Sequence, residues 1–177
     1  MQGGPEVGAT AWSREDRECM ALALQAARRA AGLGEIPVGA VLVLDGHVLA
    51  VMHNLRETAG DPTAHAEMLA VRAGGRSRLD GATLYATLEP CPMCAGALWL
   101  ARVARLVYAA ADPRAGAAGS VYNVVADARL NHRLAVDAGL MAGESADLLR
   151  AFFRDLRSGP KSGAGCGGAA TEGCPSG

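Results

Sequence analysis

The chain has 177 residues, half of them hydrophobic but only 4% aromatic, enough for the core of one domain built mainly from Leu, Val and Ala. With 17 basic against 18 acidic residues and a net charge of −1, it is not built to grip long nucleic acid by its phosphates, although a single exposed base can still be held by stacking and hydrogen bonds. Apolar runs such as 37–44 are too short to cross a bilayer, and residues 1–11 lack the basic start and apolar stretch of a signal peptide, so a cytoplasmic protein with no membrane contact is expected.

Residues 1–11 are Gly-rich and unpatterned and are expected to be disordered. Ser13 then caps an amphipathic helix, in which Met20, Ala23, Leu24, Ala27 and Ala31 recur at helical spacing until Gly32 to Gly34 end it. Ile36 to Leu44 reads as a buried strand, Asp45-Gly46 as a hairpin turn and His47 to His53 as the returning strand. A helix is expected from near His65 to Gly74, a strand over Ala82 to Leu88, a helix over Cys91 to Ala101 and a strand over Val103 to Ala109. After a Gly/Ala loop come a short strand over Ala135 to Leu140 and a last helix over Ser145 to Arg157. Its Leu148, Leu149, Phe152, Phe153 and Leu156 are read as one apolar face. Alternating strands and helices indicate an α/β sheet with helices on both faces. Residues 158–177, almost without large apolar side chains, are expected to be a disordered tail.

Five cysteines in such a chain point to metal or redox chemistry before disulfides. His65-Ala66-Glu67 and Pro90-Cys91-Pro92-Met93-Cys94 are the informative pair of motifs. One imidazole and two thiolates form a tripod for zinc with a fourth position free for water, as in catalytic rather than closed structural sites. Both motifs sit where a helix begins, and the unpaired N–H groups there stabilise thiolates. Residues two apart do not share a helix face, so His65 is expected at the helix entry, still extended, with Glu67 beside the metal without binding it. Cys91-x-x-Cys94 alone would equally fit a thioredoxin-like redox pair, a reading that the nearby His-x-Glu makes remote. Cys19 is read as a helix thiol, Cys166 and Cys174 as bystanders in the tail, His47 as a turn residue and His53 as a strand-end histidine.

His-x-Glu followed by Pro-Cys-x-x-Cys is the known signature of zinc nucleobase deaminases. The stretches 61–67 and 87–97, with Ile36-Pro37-Val38-Gly39-Ala40-Val41, Gly116-Ala117-Ala118-Gly119-Ser120, Asn131-His132-Arg133 and Leu148-Leu149-x-x-Phe152-Phe153-Arg154, resemble the bacterial tRNA-specific adenosine deaminases from about Trp12 to Arg157. The zinc motifs alone reach only the deaminase superfamily, and the later pieces narrow the resemblance to the tRNA enzymes. The resemblance implies a deaminase domain over 12–157 with a cytidine deaminase-like α/β/α sandwich around a mixed sheet. It also implies one zinc per subunit, a homodimer, and conversion of adenosine to inosine at the wobble position of an arginine tRNA anticodon stem-loop. Carried over by motif, His65, Cys91 and Cys94 hold zinc and Glu67 shuttles protons. Asn54 hydrogen-bonds the base, Val38 walls the pocket, the backbone of Ala66 reads the base edge, Asp112 meets the adjacent nucleotide backbone, and Asn131, Phe153 and Arg154 hold the rest of the loop.

The sequence departs from this pattern at Ala111, where an arginine is frequent, at His53, where some members carry tryptophan, and in its non-basic tail. Read without the resemblance, Asn54 and Asn131 are equally strand-end or turn residues, and Arg150, Arg154 and Arg157 equally favourable last-turn charges. Two rival readings share part of the pattern. A guanine or other free-base deaminase could share both zinc motifs, and a non-catalytic zinc or RNA-binding subunit could keep the fold, although it would not need Glu67.

Overall fold

The computed structural model describes residues 12–158. The segments expected to be disordered, and with them Cys166 and Cys174, lie outside the described residues, apart from Ser158. The chain order is α1 (Arg14–Gly32), β1 (Gly39–Leu44), β2 (His47–His53), α2 (Arg56–Ala59), α3 (Ala66–Ala73), β3 (Thr83–Leu88), α4 (Pro92–Leu100), β4 (Arg105–Ala110), β5 (Ala135–Ala138) and α5 (Ala142–Ser158).

Helix α1 starts where Ser13 predicts. The Ser13 hydroxyl accepts from the Asp16 N–H and the Asp16 carboxylate from the Ser13 N–H, each at 3.0 Å, forming a capping box. Asp45 and Gly46 take positive φ of 51° and 73°, the left-handed pair that a tight two-residue hairpin demands, and Leu44 pairs with His47 across it.

The sheet order is β2-β1-β3-β4-β5, with β1 antiparallel to β2 and β3, and β3–β4 and β4–β5 parallel. Every residue of β1 is buried, because the strand is covered on both faces. Alternation splits its side chains between two cores. Val41 and Val43 join Tyr85, Val107 and the α1 residues Met20 and Ala23, whereas Ala40, Leu42 and Leu44 join Leu84, Leu106, Ala66 and Ala70 of α3 and Ala95 and Leu98 of α4. Helices α1 and α5 thus cover one face and α3 and α4 the other, the expected three-layer α/β/α sandwich. Small residues bring α1 down onto the sheet: a Cβ added to Gly39 would lie 2.0 Å from the Ala23 carbonyl oxygen.

Several boundaries depart from the sequence reading. The first strand begins at Gly39 rather than Ile36, and β5 ends at Ala138. Helix α2 has no local cap; instead Glu35, fully buried, accepts from the Glu57 and Thr58 N–H groups at 3.2 and 2.7 Å across 22 and 23 residues of chain. Helix α5 begins at Ala142, three residues before the expected Ser145. Ser145 is buried, and its hydroxyl donates to the Thr87 carbonyl at the end of β3. Nor do the α5 apolar residues form one face. Leu149 and Phe153 turn to one side and Leu148, Phe152 and Leu156 to a groove beside Ala31 of α1.

Candidate metal centre

His65 and Cys91 occupy the N-cap positions of α3 and α4, both with extended backbone (ψ 150° and 171°), and Pro92 opens α4 with the φ that a first helical residue needs. The α4 entry follows the carboxyl end of β3, where open α/β sheets place their ligands. This convergence brings the three sequence-predicted zinc residues together. The His65 Nδ1 atom lies 3.7 Å from Cys91 Sγ and 3.6 Å from Cys94 Sγ, and the two sulfurs are 3.7 Å apart.

Those separations can be tested against zinc chemistry. Tetrahedral zinc with Zn–S of about 2.3 Å and Zn–N of about 2.0–2.1 Å sets sulfur atoms about 3.8 Å apart and sulfur to nitrogen about 3.6 Å apart. The observed triangle has these dimensions, and among the described residues it is the one group of three such donors positioned for a metal. Three donors leave one tetrahedral position for a fourth, non-protein ligand.

The electrostatics of the donors point the same way. The hydrogen bond shared with Cys94, together with the one to His65, draws the Cys91 thiol down to about 4, whereas the same bond and burial push the Cys94 thiol far up. The hydrogen bond to Cys91 in turn raises the His65 imidazole. A divalent cation removes this conflict, since it stabilises both thiolates at once.

Glu67, two residues into α3, is buried, and burial raises its carboxyl pKa. Its Oε2 has no hydrogen-bond partner. A buried, unpaired carboxylate oxygen beside a metal tripod, yet outside the donor group, is poised to exchange a proton with whatever enters.

The other site residues fall into three places. Val38 and Ala66 are buried in the same core cluster as the α3–α4 layer, and the Asn54 N–H donates to the Val38 carbonyl at 3.0 Å, setting the buried Asn54 beside Val38. Asp112, Phe153 and Arg154 meet in a second place, a cleft of about 750 Å³ shared with Ile36, Leu88 and Arg150. Phe153 is 39% exposed and stands edge-on to the half-buried Phe152, with ring centroids 5.5 Å apart. Asn131 does not line that cleft. It is exposed, and its carbonyl accepts from Arg102 at 3.2 Å. The half-buried His53 bonds the Asn54 carbonyl through Nδ1, and Cys19 is a core thiol.

Sequence reasoning missed the carboxylates that hold these segments. Glu89 is 2% exposed, and both its oxygens accept from residues 112–120. Asp16 joins Tyr85 and Arg105, and Arg105 also bridges to Asp137, tying α1 to β3, β4 and β5. An acid standing in an apolar strand end, as Glu89 does after Leu88, was the available signal; Asp16 offered its place three residues after Ser13, and Glu35 gave none that a local pattern could use.

Known proteins place this geometry. The zinc-binding region of cytidine and deoxycytidylate deaminases matches residues 13–110. The tRNA-specific adenosine deaminase of Bacillus subtilis (strain 168) is 47% identical over 151 residues, covering 83% of this chain and 94% of its own. A solved structure from studies of A-to-I editing by tRNA:A34 deaminases at the wobble position of transfer RNA has a TM-score of 0.72 and 46% identity, over 75% of this chain and 99% of that one. The guanine deaminase of Bacillus subtilis is also similar, with a TM-score of 0.52 and 40% identity, but over only 56% of this chain and 66% of that one. The donor triangle, its buried glutamate and these likenesses agree: the chain belongs to the zinc-dependent cytidine and deoxycytidylate deaminase family and, within it, to the tRNA-specific adenosine deaminases.

Proposed function

We propose that this chain deaminates adenosine to inosine at the wobble position of an arginine tRNA, the flipped-out base being held in the pocket beside Glu67. The observation that carries the deamination is the zinc-sized donor triangle with an unpaired, buried carboxylate next to it, and the likeness to tRNA-specific adenosine deaminases over most of the chain supports the tRNA substrate. His65, Cys91 and Cys94 hold the ion. Zinc bound there supplies Lewis acidity, which makes a water proton easier to remove at neutral pH.

Glu67 does the proton work. Its carboxylate takes a proton from the attacking water and passes it to adenine N1 as oxygen adds at C6. It then delivers the second proton to the C6 amine, the C–N bond breaks, and ammonia leaves with inosine as product. The raised carboxyl pKa suits a group that must both accept and donate. Asn54, Val38 and the Ala66 backbone bound the base; burial of all three supports a pocket that excludes water. Asp112, Phe153 and Arg154 contact the flanking nucleotides, with Phe153 exposed for stacking and Asn131 reaching a separate part of the loop.

The working unit is a homodimer of the 12–157 domain, in the cytoplasm. Helix α4 has no charged side chain, yet its Leu100 is 68% exposed, an apolar surface that a second subunit would cover. No helix among the described residues is long and apolar enough to cross a membrane. The test is inosine formation in an arginine-tRNA anticodon stem-loop by zinc-loaded protein, with free guanine as the competing substrate. Inosine at the wobble adenosine supports the reading, and turnover of guanine alone overturns it.

A further inference from the structure

Two carboxylates flank the metal ligands, and they are held in opposite ways. Glu67 has an unpaired oxygen, whereas Glu89, two residues before Cys91, has every acceptor position engaged. Its Oε1 accepts from the Ala118 and Ser120 N–H groups, each at 3.0 Å, and its Oε2 from the Asp112 N–H at 3.0 Å and the Ser120 hydroxyl. All four partners are donors, the complement of an ionised carboxylate, whose oxygens only accept.

The chain is fitted around this carboxylate. A Cβ on Gly116 would lie 2.2 Å from Glu89 Oε2, so the loop passes this close only because residue 116 is glycine. The Glu89 N–H donates to Ala110 and the Ala117 N–H to the Pro90 carbonyl, both at 2.8 Å, so the residue next to Cys91 is also tied to the loop. The same loop supplies Asp112, Pro113 and Arg114 to the cleft that Phe153 and Arg154 line.

We propose that Glu89 is a positioning residue: its carboxylate clamps residues 112–120 against the segment that carries Cys91 and Cys94, seating one wall of the RNA cleft before substrate arrives. This rests on the function proposed above, in which that cleft receives the nucleotides beside the target base. Glu89 moves no proton, because it has no free lone pair to offer. Its effect lies in the fraction of molecules whose loop is already seated, and apparent substrate affinity falls in proportion to that fraction.

The test compares parent, Glu89→Gln and Ser120→Ala, all zinc-loaded, on the anticodon stem-loop. Glutamine places an NH2 group against N–H donors and releases the loop. The stem-loop KM is expected to rise about 10-fold or more while kcat stays within about 3-fold, as for a competent state populated in roughly one molecule in ten. Zinc stays at one per chain, and hydrogen exchange at the Ala118 and Ser120 amides quickens. Ser120→Ala removes one of the four bonds and shifts KM and exchange in the same direction by less; it decides the matter alone if Glu89→Gln does not fold. A fall in kcat at unchanged KM, loss of zinc, or unchanged exchange at the two amides overturns the clamp. A parent that makes no inosine overturns the functional reading instead, and amide exchange then still decides the clamp.

Discussion

Replacing Glu67 by glutamine separates what this residue costs the fold from what it gives the reaction. The side chain is 4% exposed and its Oε2 has no hydrogen-bond partner, so in the metal-free protein the ionised form is buried without full compensation. Leaving a buried polar atom unpaired costs about 1–3 kcal/mol, and a charged one more. Glutamine fills the same volume and has no charge to bury, although its amide inherits the unpaired position. The exchange is therefore expected to stabilise the metal-free protein by about 1 kcal/mol near pH 7, worth about 2–4 °C in melting temperature for a chain of this size. The sign follows from the titration. A carboxyl whose folded pKa is raised loses stability as pH climbs above its unfolded value near 4.3, so the advantage of glutamine should vanish at about pH 4 and below. Turnover moves the other way, falling about 10²–10⁴-fold with the loss of the general acid/base, at unchanged zinc content. The assay is inosine formation under single-turnover conditions, with thermal unfolding of the metal-free proteins at pH 4 and pH 7. Residual turnover within tenfold of the parent, or a variant clearly less stable than the parent at pH 7, would refute the reasoning.

Three further substitutions test the frame around this site. Cys94→Ala should reduce zinc below about one tenth of an equivalent per chain by elemental analysis, since two protein donors cannot make the three-donor site; a stoichiometric metal content would reject the triad. Gly39→Ala places a Cβ 2.0 Å from the Ala23 carbonyl oxygen and 2.8 Å from the Ala27 nitrogen, both backbone atoms that no rotamer change can move. It should cost about 3 kcal/mol or more, read as a melting temperature lowered by at least about 6 °C, and a neutral result would mean that α1 is not seated as described. Burial would raise the Asp16 carboxyl, but hydrogen bonds from Arg105, Ser13 and Tyr85 outweigh it and bring the group down to about 2. Its stabilisation is therefore complete above the unfolded value near 3.9, amounts to about 2 kcal/mol, and is lost as pH falls through about 2. Urea unfolding should show Asp16→Asn less stable than the parent between pH 4 and 7, with the gap closing towards pH 2.

What the sequence made legible follows the range over which each interaction acts. His65, Cys91 and Cys94 could be read because each motif is local: a histidine at one helix entry, with Glu67 two residues on, and two thiols three apart at another. The Asp45-Gly46 turn and the Ser13 cap were legible for the same reason, their φ values and hydrogen bonds lying within three residues. Helix α2 was not, because nothing near Leu55 caps it and the acceptor is Glu35, on the far side of a whole hairpin. The burial of Ser145 was hidden likewise, since its hydroxyl donates to the Thr87 carbonyl, 58 residues away in sequence. Of the residues that the resemblance assigns to RNA binding, Asp112, Phe153 and Arg154 come from two distant segments that only the tertiary fold brings to one cleft, and Asn131, nearer to Asp112 in sequence, does not join them. The metal donors are thus encoded in short motifs, while the segments around them are tied by buried carboxylates that bond backbone across 20 or more residues, as Glu35 and Glu89 do. Glu89 stands inside the 87–97 motif, but the loop it holds at 112–120 lies outside it, so the motif displays the acid without displaying what it binds. On the clamp proposed above, family membership read from motifs predicts the reaction better than it predicts affinity for RNA.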